Sequence, residues 1–394
     1  MIRETIRIHN SPITIHIAFV LTGATNTLLG PLLPVLVGWW GLADPDAGFL
    51  FTLQFAGSIV GAALASPCIE RFGLRSTLLS GIVIMATGVG ALGAGTPSIG
   101  YPAVSWFGLG LGLTIPTTNL LVAETASSNR AAALSLLNFS WGVGAVAGPP
   151  AIALSRRIHD AHLFLFALAA ALLLSAAMLG SIRAPRSDRA AGIARQPLDA
   201  SDLWRRVLQF GSFLFLYVGT ETSVSGWMAV YAERADLLSS GIAIALPSVF
   251  WGTLLAGRAL GPWVLKRRAE ATVLRVGLAV ATAGVLGLLA ASSPAALIAA
   301  VSVVGLGFSM VFPVSFAIFT RGMGAAAAAA TGPVFVFAAL GGASLPWLVG
   351  VVSARTGNLA AGLLVPLAGC AGVLILDAVL RGSRTGRGFP RNPS

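Results

Sequence analysis

Apolar residues in this chain come in long unbroken blocks and not in short alternating runs. Ile13 to Val37, for example, contains no acidic residue, lysine or arginine. A bilayer-spanning helix needs about 20 such residues, so each block predicts a transmembrane helix. Blocks bounded by charged or Gly/Pro-rich breaks recur with centres near 26, 57, 86, 112, 142, 172, 219, 250, 281, 307, 338 and 370. Twelve spans take up roughly 240 residues, which leaves short loops and no room for a large soluble catalytic domain. The ten-residue alternation of a membrane β-barrel is missing, so the predicted class is an all-α membrane protein. The first block exceeds a signal-peptide core and lacks a small-x-small cleavage site, so it is expected to stay in the mature chain.

The longest polar stretch runs from about Arg183 to Arg206 and holds six arginines with Asp188, Asp199 and Asp202. It divides the chain into a six-helix half (1–183), a cytoplasmic linker (184–206) and a second six-helix half (207–394). Cations in the breaks fall unevenly, nineteen on one side against four on the other. By the positive-inside rule this predicts that both termini are cytoplasmic. The halves also resemble each other. Gly108-Leu109-Gly110 with Pro116 recurs as Gly305-Leu306-Gly307 with Pro313, and Gly144 and Pro149 recur as Gly341 and Pro346, all at an offset of 197 residues. Gly81 and Gly88 match Gly277 and Gly284 at 196. Several matches at nearly one offset indicate an internal duplication, so the two halves are expected to be pseudo-symmetric. A parallel duplication of six spans implies a central cavity exposed alternately to the two sides.

The 394 residues are 56% hydrophobic and 10% charged, with mean hydropathy +0.86. Forty-seven glycines suit close helix packing in lipid. The net charge of +11 is spread between apolar blocks, which argues for loops facing the cytoplasm and against a nucleic-acid partner. Cys68 and Cys370 lack metal-ligand spacing and are expected to be free thiols. No P-loop, HExxH or nucleophile elbow occurs, so neither an enzyme nor a cofactor is expected. His159 and His162 flank Asp160 between two spans, where a solvated loop is expected ahead of a metal site.

After the second span the chain reads Ser66-Pro-Cys-Ile-Glu70-Arg71-Phe-Gly73-Leu-Arg75. This resembles the major facilitator superfamily signature G-x-x-x-D-R-x-G-R-R, with Ser and Glu at two of its positions. The resemblance covers essentially the whole chain and implies a transporter. It also implies that Glu70, Arg71 and Arg75 act as a cytoplasmic gating latch. Within that superfamily, Asn26-Thr-Leu-Leu-Gly-Pro31, Gly110-Leu-Gly112 with Asn119, and Tyr217-Val-Gly219-Thr-Glu221 are similar to the fucose permease group of sugar:proton symporters. Thr27 and Ile115 stand where that group carries acids, and both are proton-carrier positions in the symporters resembled.

Ionisable groups deep in a span usually face a cavity or a partner. Glu221 lies mid-span and is the expected proton-coupling residue, with a neutral carboxyl hydrogen-bonded in a helix contact, or an ion pair to Arg258, as the structural alternatives. Arg258 and Asp377 are expected nearer the cytoplasmic ends, in structural or gating roles. A monosaccharide needs amides and carboxylates for its hydroxyls and aromatic faces for its C–H surfaces. Asn26, Gln54, Asn119, Asn138, Tyr217, Glu221, Trp227 and Tyr231 are therefore the expected substrate contacts. Phe308, Phe312 and Phe316 at helical spacing read as packing. The expected function is proton-coupled uptake of a hexose-like monosaccharide across a bacterial inner membrane. Its partners are then a small-molecule substrate, protons and the lipid bilayer, with the protein monomeric. A sugar uniporter is one alternative. A proton-coupled exporter is another, because Gly144-Ala-Val-Ala-Gly148-Pro149 partly resembles an antiporter signature. A non-transporting receptor or a lipid scramblase is the alternative from another class.

Overall fold

The computed structural model describes the backbone of residues 2–125, 130–158, 160–180, 200–323 and 327–385, and the side chains of 13–125, 133–158, 160–180, 201–323 and 330–378. Among them every regular element is a helix. In order they are α1 (Ile2–Asn26), α2 (Leu29–Trp40), α3 (Asp44–Leu92), α4 (Pro97–Thr125), α5 (Arg130–Ile158), α6 (Ala161–Gly180), α7 (Ala200–Arg234), α8 (Ser240–Ala243), α9 (Leu246–Leu265), α10 (Glu270–Leu289), α11 (Pro294–Phe308), α12 (Val311–Met323), α13 (Ala327–Thr356), α14 (Leu359–Gly362) and α15 (Leu364–Thr385). Helices satisfy their own backbone polar groups, which is what a bilayer demands.

Eight of these helical stretches are long and apolar enough to cross a membrane, and α1 with α2 forms a ninth bent by 47°. At 49 residues α3 would be about 74 Å long, twice what one crossing needs. It divides at Gly73, whose φ of 82° and ψ of 160° suit only glycine. Helices α5 and α7, at 29 and 35 residues, are long enough but carry Asn138 and Ser140, and Thr220, Glu221, Thr222 and Ser223, at their centres. With α3 counted as two arms and with α5 and α7, the described residues hold twelve helical stretches long enough to cross. The motif from Ser66 to Arg75 continues the second span instead of following it, being helical to Phe72 and turning on Gly73 alone. Of the expected linker, residues 184–199 lie outside the described residues and 200–206 open α7.

The break in the first span was not expected. Pro31 has no N–H to give the Thr27 carbonyl, so the helix opens at Thr27 and Leu28. Gln54 of α3 donates its Nε2 to the Asn26 carbonyl at 3.0 Å, supplying a donor at the break.

The duplicated glycines meet equivalent neighbours. Gly108 of α4 leaves no room for a side chain against the Gln54 carbonyl of α3, and Gly305 of α11 leaves none against the Phe250 carbonyl and Thr253 of α9. Gly144 of α5 lies against the Val20 carbonyl of α1, as Gly341 of α13 lies against the Phe215 carbonyl of α7. Backbones touching through small residues give helices in lipid the dispersion contact that the hydrophobic effect cannot supply there.

The first arm of α3 crosses from an Asp44 end to a Gly73 end, and the two halves are clasped toward the Asp44 end. Arg234 closing α7 grips Asp44 with Nη1 and Nη2 at 2.8 and 2.6 Å, and Ser353 of α13 donates to the same carboxylate. Thr52 Oγ1 donates to the Ala343 carbonyl at 2.6 Å, and Ser248 Oγ to the Val146 carbonyl at 2.7 Å. Pro150 explains that last acceptor, because its missing N–H would have bonded Val146. Trp141 and Trp251 meet edge to face at 5.5 Å across the halves. By contrast α4 and α12, which run to the Gly73 end, make their main contacts within their own halves.

Both cysteines are free, Cys370 buried and Cys68 half-buried. His162 is not merely solvated: its ring stacks on Trp39 at 4.0 Å, and Nδ1 meets the Gly93 carbonyl at 2.9 Å. His159 lies outside the described residues, among which no group of three or more metal-ligating side chains occurs.

Candidate functional site

Tyr217 and Glu221 stand one turn apart on α7, so their side chains share a face. The buried Tyr217 donates its hydroxyl hydrogen to Glu221 Oε1 at 2.9 Å, and Glu221 itself is half-buried. Facing them, Arg258 of α9 is close enough to interact with both the Tyr217 hydroxyl and the Glu221 carboxylate. It is not within ion-pair distance of any carboxylate among the described residues. Arg258 Nε donates instead to the Ser309 carbonyl at 3.3 Å. That oxygen is free because the residue four positions on is Pro313, which also separates α11 from α12 near Ser309. Phe308 closes the apolar side, edge-on to Tyr217 at 5.6 Å and near Phe250 at 6.4 Å. The cluster thus holds an acid, a base and a hydroxyl between them, with a proline-freed carbonyl and aromatic walls.

The sequence-predicted residues are spread over α1, α3, α4, α5 and α7. Gln54 is buried and engaged with Asn26 through its amide nitrogen, while its Oε1 has no partner. Asn119 Nδ2 donates to the Ile115 carbonyl and Asn138 Nδ2 to the Leu134 carbonyl, both at 2.8 Å. Each amide keeps its oxygen and a second N–H for another partner. Asn119 is half-buried and Asn138 exposed. Trp227 is fully buried, and its indole N–H donates to the Pro346 carbonyl at 2.9 Å, in the closed Asp44-end layer. Tyr231 is one turn further on, lining with Asp44, Arg234, Ser353 and Asn358 a cavity of about 540 Å³. At the Gly73 end, Glu70 makes no ion pair among the described residues. Arg71 lies 5.4 Å from the Phe72 ring, and Arg75 bonds the Gly180 carbonyl of its own half.

Sequence reasoning put Arg258 near a span end and missed Ser309. The signal lay in Pro313: a proline four residues after a position inside a span frees a carbonyl, and a cation on a neighbouring span can reach it. Asp44, Arg234 and Ser353 were also missed, since residues 190 and 309 positions apart carry no local pattern.

A sequence profile of the Major Facilitator Superfamily matches residues 15–346. The chain is 29% identical to a myo-inositol transporter of Gibberella moniliformis over 192 residues, 48% of this chain and 33% of that one. It is 30% identical to a D-xylose-proton symporter-like protein of Arabidopsis thaliana over 131 residues, 32% of this chain and 26% of the other. The chain thus aligns with about a third or less of these curated relatives. Among solved structures, the nucleoside transporter NupG superposes with a TM-score of 0.79 at 14% identity, covering 95% of this chain and 99% of the other. A D-xylose-proton symporter gives 0.77 at 17% identity, covering 94% and 96%. FucP in the outward conformation gives 0.63 at 19% identity, covering 93% and 98%.

Proposed function

The chain belongs to the major facilitator superfamily, and from that premise we propose that it carries a hexose-like monosaccharide together with protons by alternating access. The observation that carries this reading is the half-buried Glu221, held by Tyr217 and faced by Arg258 at mid-span. A carboxylate there exchanges a proton for a change in hydrogen-bonding character, from acceptor only to partial donor, and so alters its fit to a sugar hydroxyl. The inositol and xylose transporters among its relatives support a polyhydroxylated substrate.

On this reading the Gly73 end, with both termini, faces the cytoplasm and the protein is in an inward-facing state, closed by the Asp44 clasp. Asn26, Gln54, Asn119, Asn138, Tyr217 and Glu221 contact the substrate, with Trp227 and Tyr231 joining when the outer layer opens. Glu70, Arg71 and Arg75 form their latch only when the Gly73 end closes. The antiporter-like stretch in α5 packs on α1, with Gly144 and Gly148 facing Val20 and Ala24.

Sugar-dependent proton uptake into proteoliposomes tests the proposal. Wild type should acidify on sugar addition, and Glu221→Gln should keep sugar exchange while losing accumulation driven by a pH gradient. Undiminished gradient-driven accumulation in the variant would refute Glu221 as carrier.

A further inference from the structure

We infer that the site takes an anionic sugar, a sugar acid whose carboxylate docks on Arg258 while Glu221 holds the transported proton. This rests on the reading of Glu221 as the proton carrier and of the site as a carbohydrate site. Arg258 is half-buried within a span yet has no carboxylate at ion-pair distance among the described residues. Its Nε is committed to the Ser309 carbonyl, which Pro313 leaves permanently free. The guanidinium is thereby oriented with its remaining donors toward the Tyr217 hydroxyl and Glu221, and a planar guanidinium is the group that suits a carboxylate end-on.

Charge balance supplies the second half of the argument. Among the described residues Tyr217 and Arg258 are the ionisable groups that act on Glu221. In the empty carrier an ionised Glu221 offsets Arg258. Once Glu221 takes a proton, Arg258 is left as an uncompensated cation at membrane depth, which is costly. A neutral sugar does nothing to relieve that cost. A substrate carboxylate does, so the empty and the loaded cluster are both neutral and both able to pass through the closed state. The Tyr217 hydroxyl between the two ionic groups then serves whichever of them is charged, because a hydroxyl both donates and accepts.

D-glucose and D-glucuronate, which share a ring and differ by one carboxylate, are the probes. Binding to the purified full chain is measured by thermal shift and by displacement titration at neutral pH. Wild type should bind glucuronate at least about tenfold more tightly than glucose, the scale of one charge-assisted contact. Arg258→Gln should erase that preference, and Arg258→Lys should recover part of it. Glucose binding as tightly as glucuronate in wild type would overturn the inference and leave the monosaccharide reading standing. Failure of both sugars to bind would overturn the monosaccharide reading and the inference with it. A measurement that needs no variant is glucuronate uptake under an imposed potassium diffusion potential. The rate should be insensitive to the potential, since an anion moving with one proton carries no net charge, and potential-driven uptake would overturn the inference.

Discussion

Removing the Asp44 carboxylate should open the end of the molecule that it closes. Arg234 reaches both carboxylate oxygens, at 2.8 and 2.6 Å, and Ser353 adds a third donor. The Asp44 side chain is 11% exposed but that of Arg234 is 40% exposed, so water and salt weaken the pair. A fully screened surface pair contributes about 0–1 kcal/mol, whereas hydrogen bonds to charged groups contribute about 1.5–3 kcal/mol. For one partner sheltered and the other wet, about 1–2 kcal/mol is the appropriate range. Because the clasp exists only in the state closed at this end, its whole contribution enters the equilibrium between states, a shift of roughly 5- to 30-fold. The assay is the distance between spin labels on Ala43 and Ala354, two exposed positions on opposite halves at this end, with Cys68 and Cys370 replaced by serine. Asp44→Asn should populate a longer distance, Arg234→Gln should do the same, and the double variant should add little to either. High salt should move wild type part of the way. Distance distributions identical to wild type in both single variants would refute the reasoning.

Three further outcomes follow from single residues. Gly73→Ala should cost about 1–3 kcal/mol, because an L-residue at φ 82° and ψ 160° is strained, and should lower the apparent melting temperature in detergent. Pro313→Ala restores an N–H to the Ser309 carbonyl. It should release Arg258 and slow sugar exchange without lowering the melting temperature, and a rate equal to wild type would count against the Ser309 anchor. Gln54→Leu removes the donor at the Asn26 carbonyl and should cost about 1–3 kcal/mol, measurable as a fall in melting temperature.

How much of this was legible in the sequence depends on the range over which a signal acts. Hydropathy acts over about 20 residues, so the spans around 57, 112 or 281 could be placed from composition alone. The glycine repeat acted at long range only because duplication copied it, and Gly144 and Gly341 now lie against equivalent carbonyls. Glu221 stood out because a lone acid in an apolar run is a local anomaly. Its surroundings did not, because Arg258 and Ser309 reach it through folding, and the arginine looked like an end-of-span charge. The break at Thr27 was written in Pro31 but hidden by unbroken hydropathy. Trp227 could be placed on α7 from the sequence, but the partner of its indole N–H could not, because the Pro346 carbonyl lies 119 residues away.

The hydroxyl bonds that hold the halves together bear on the energetics of turnover. Thr52 and Ser248 donate across the seam to main-chain carbonyls. Elsewhere in the bundle Thr22, Thr117 and Thr118 turn the same kind of group back on the carbonyl four residues earlier in their own helix. A serine or threonine beyond the first turn of a helix has that second option. When the halves part, Thr52, nine residues into α3, can therefore rotate home and leave no donor stranded in the membrane. At Thr52 the seam is thus an exchange of partners at nearly constant bond number. Two resting states of similar free energy, which a carrier must have if it is not to stall in one of them, follow from choosing hydroxyls for this seam where amides or further ion pairs would have bound more firmly.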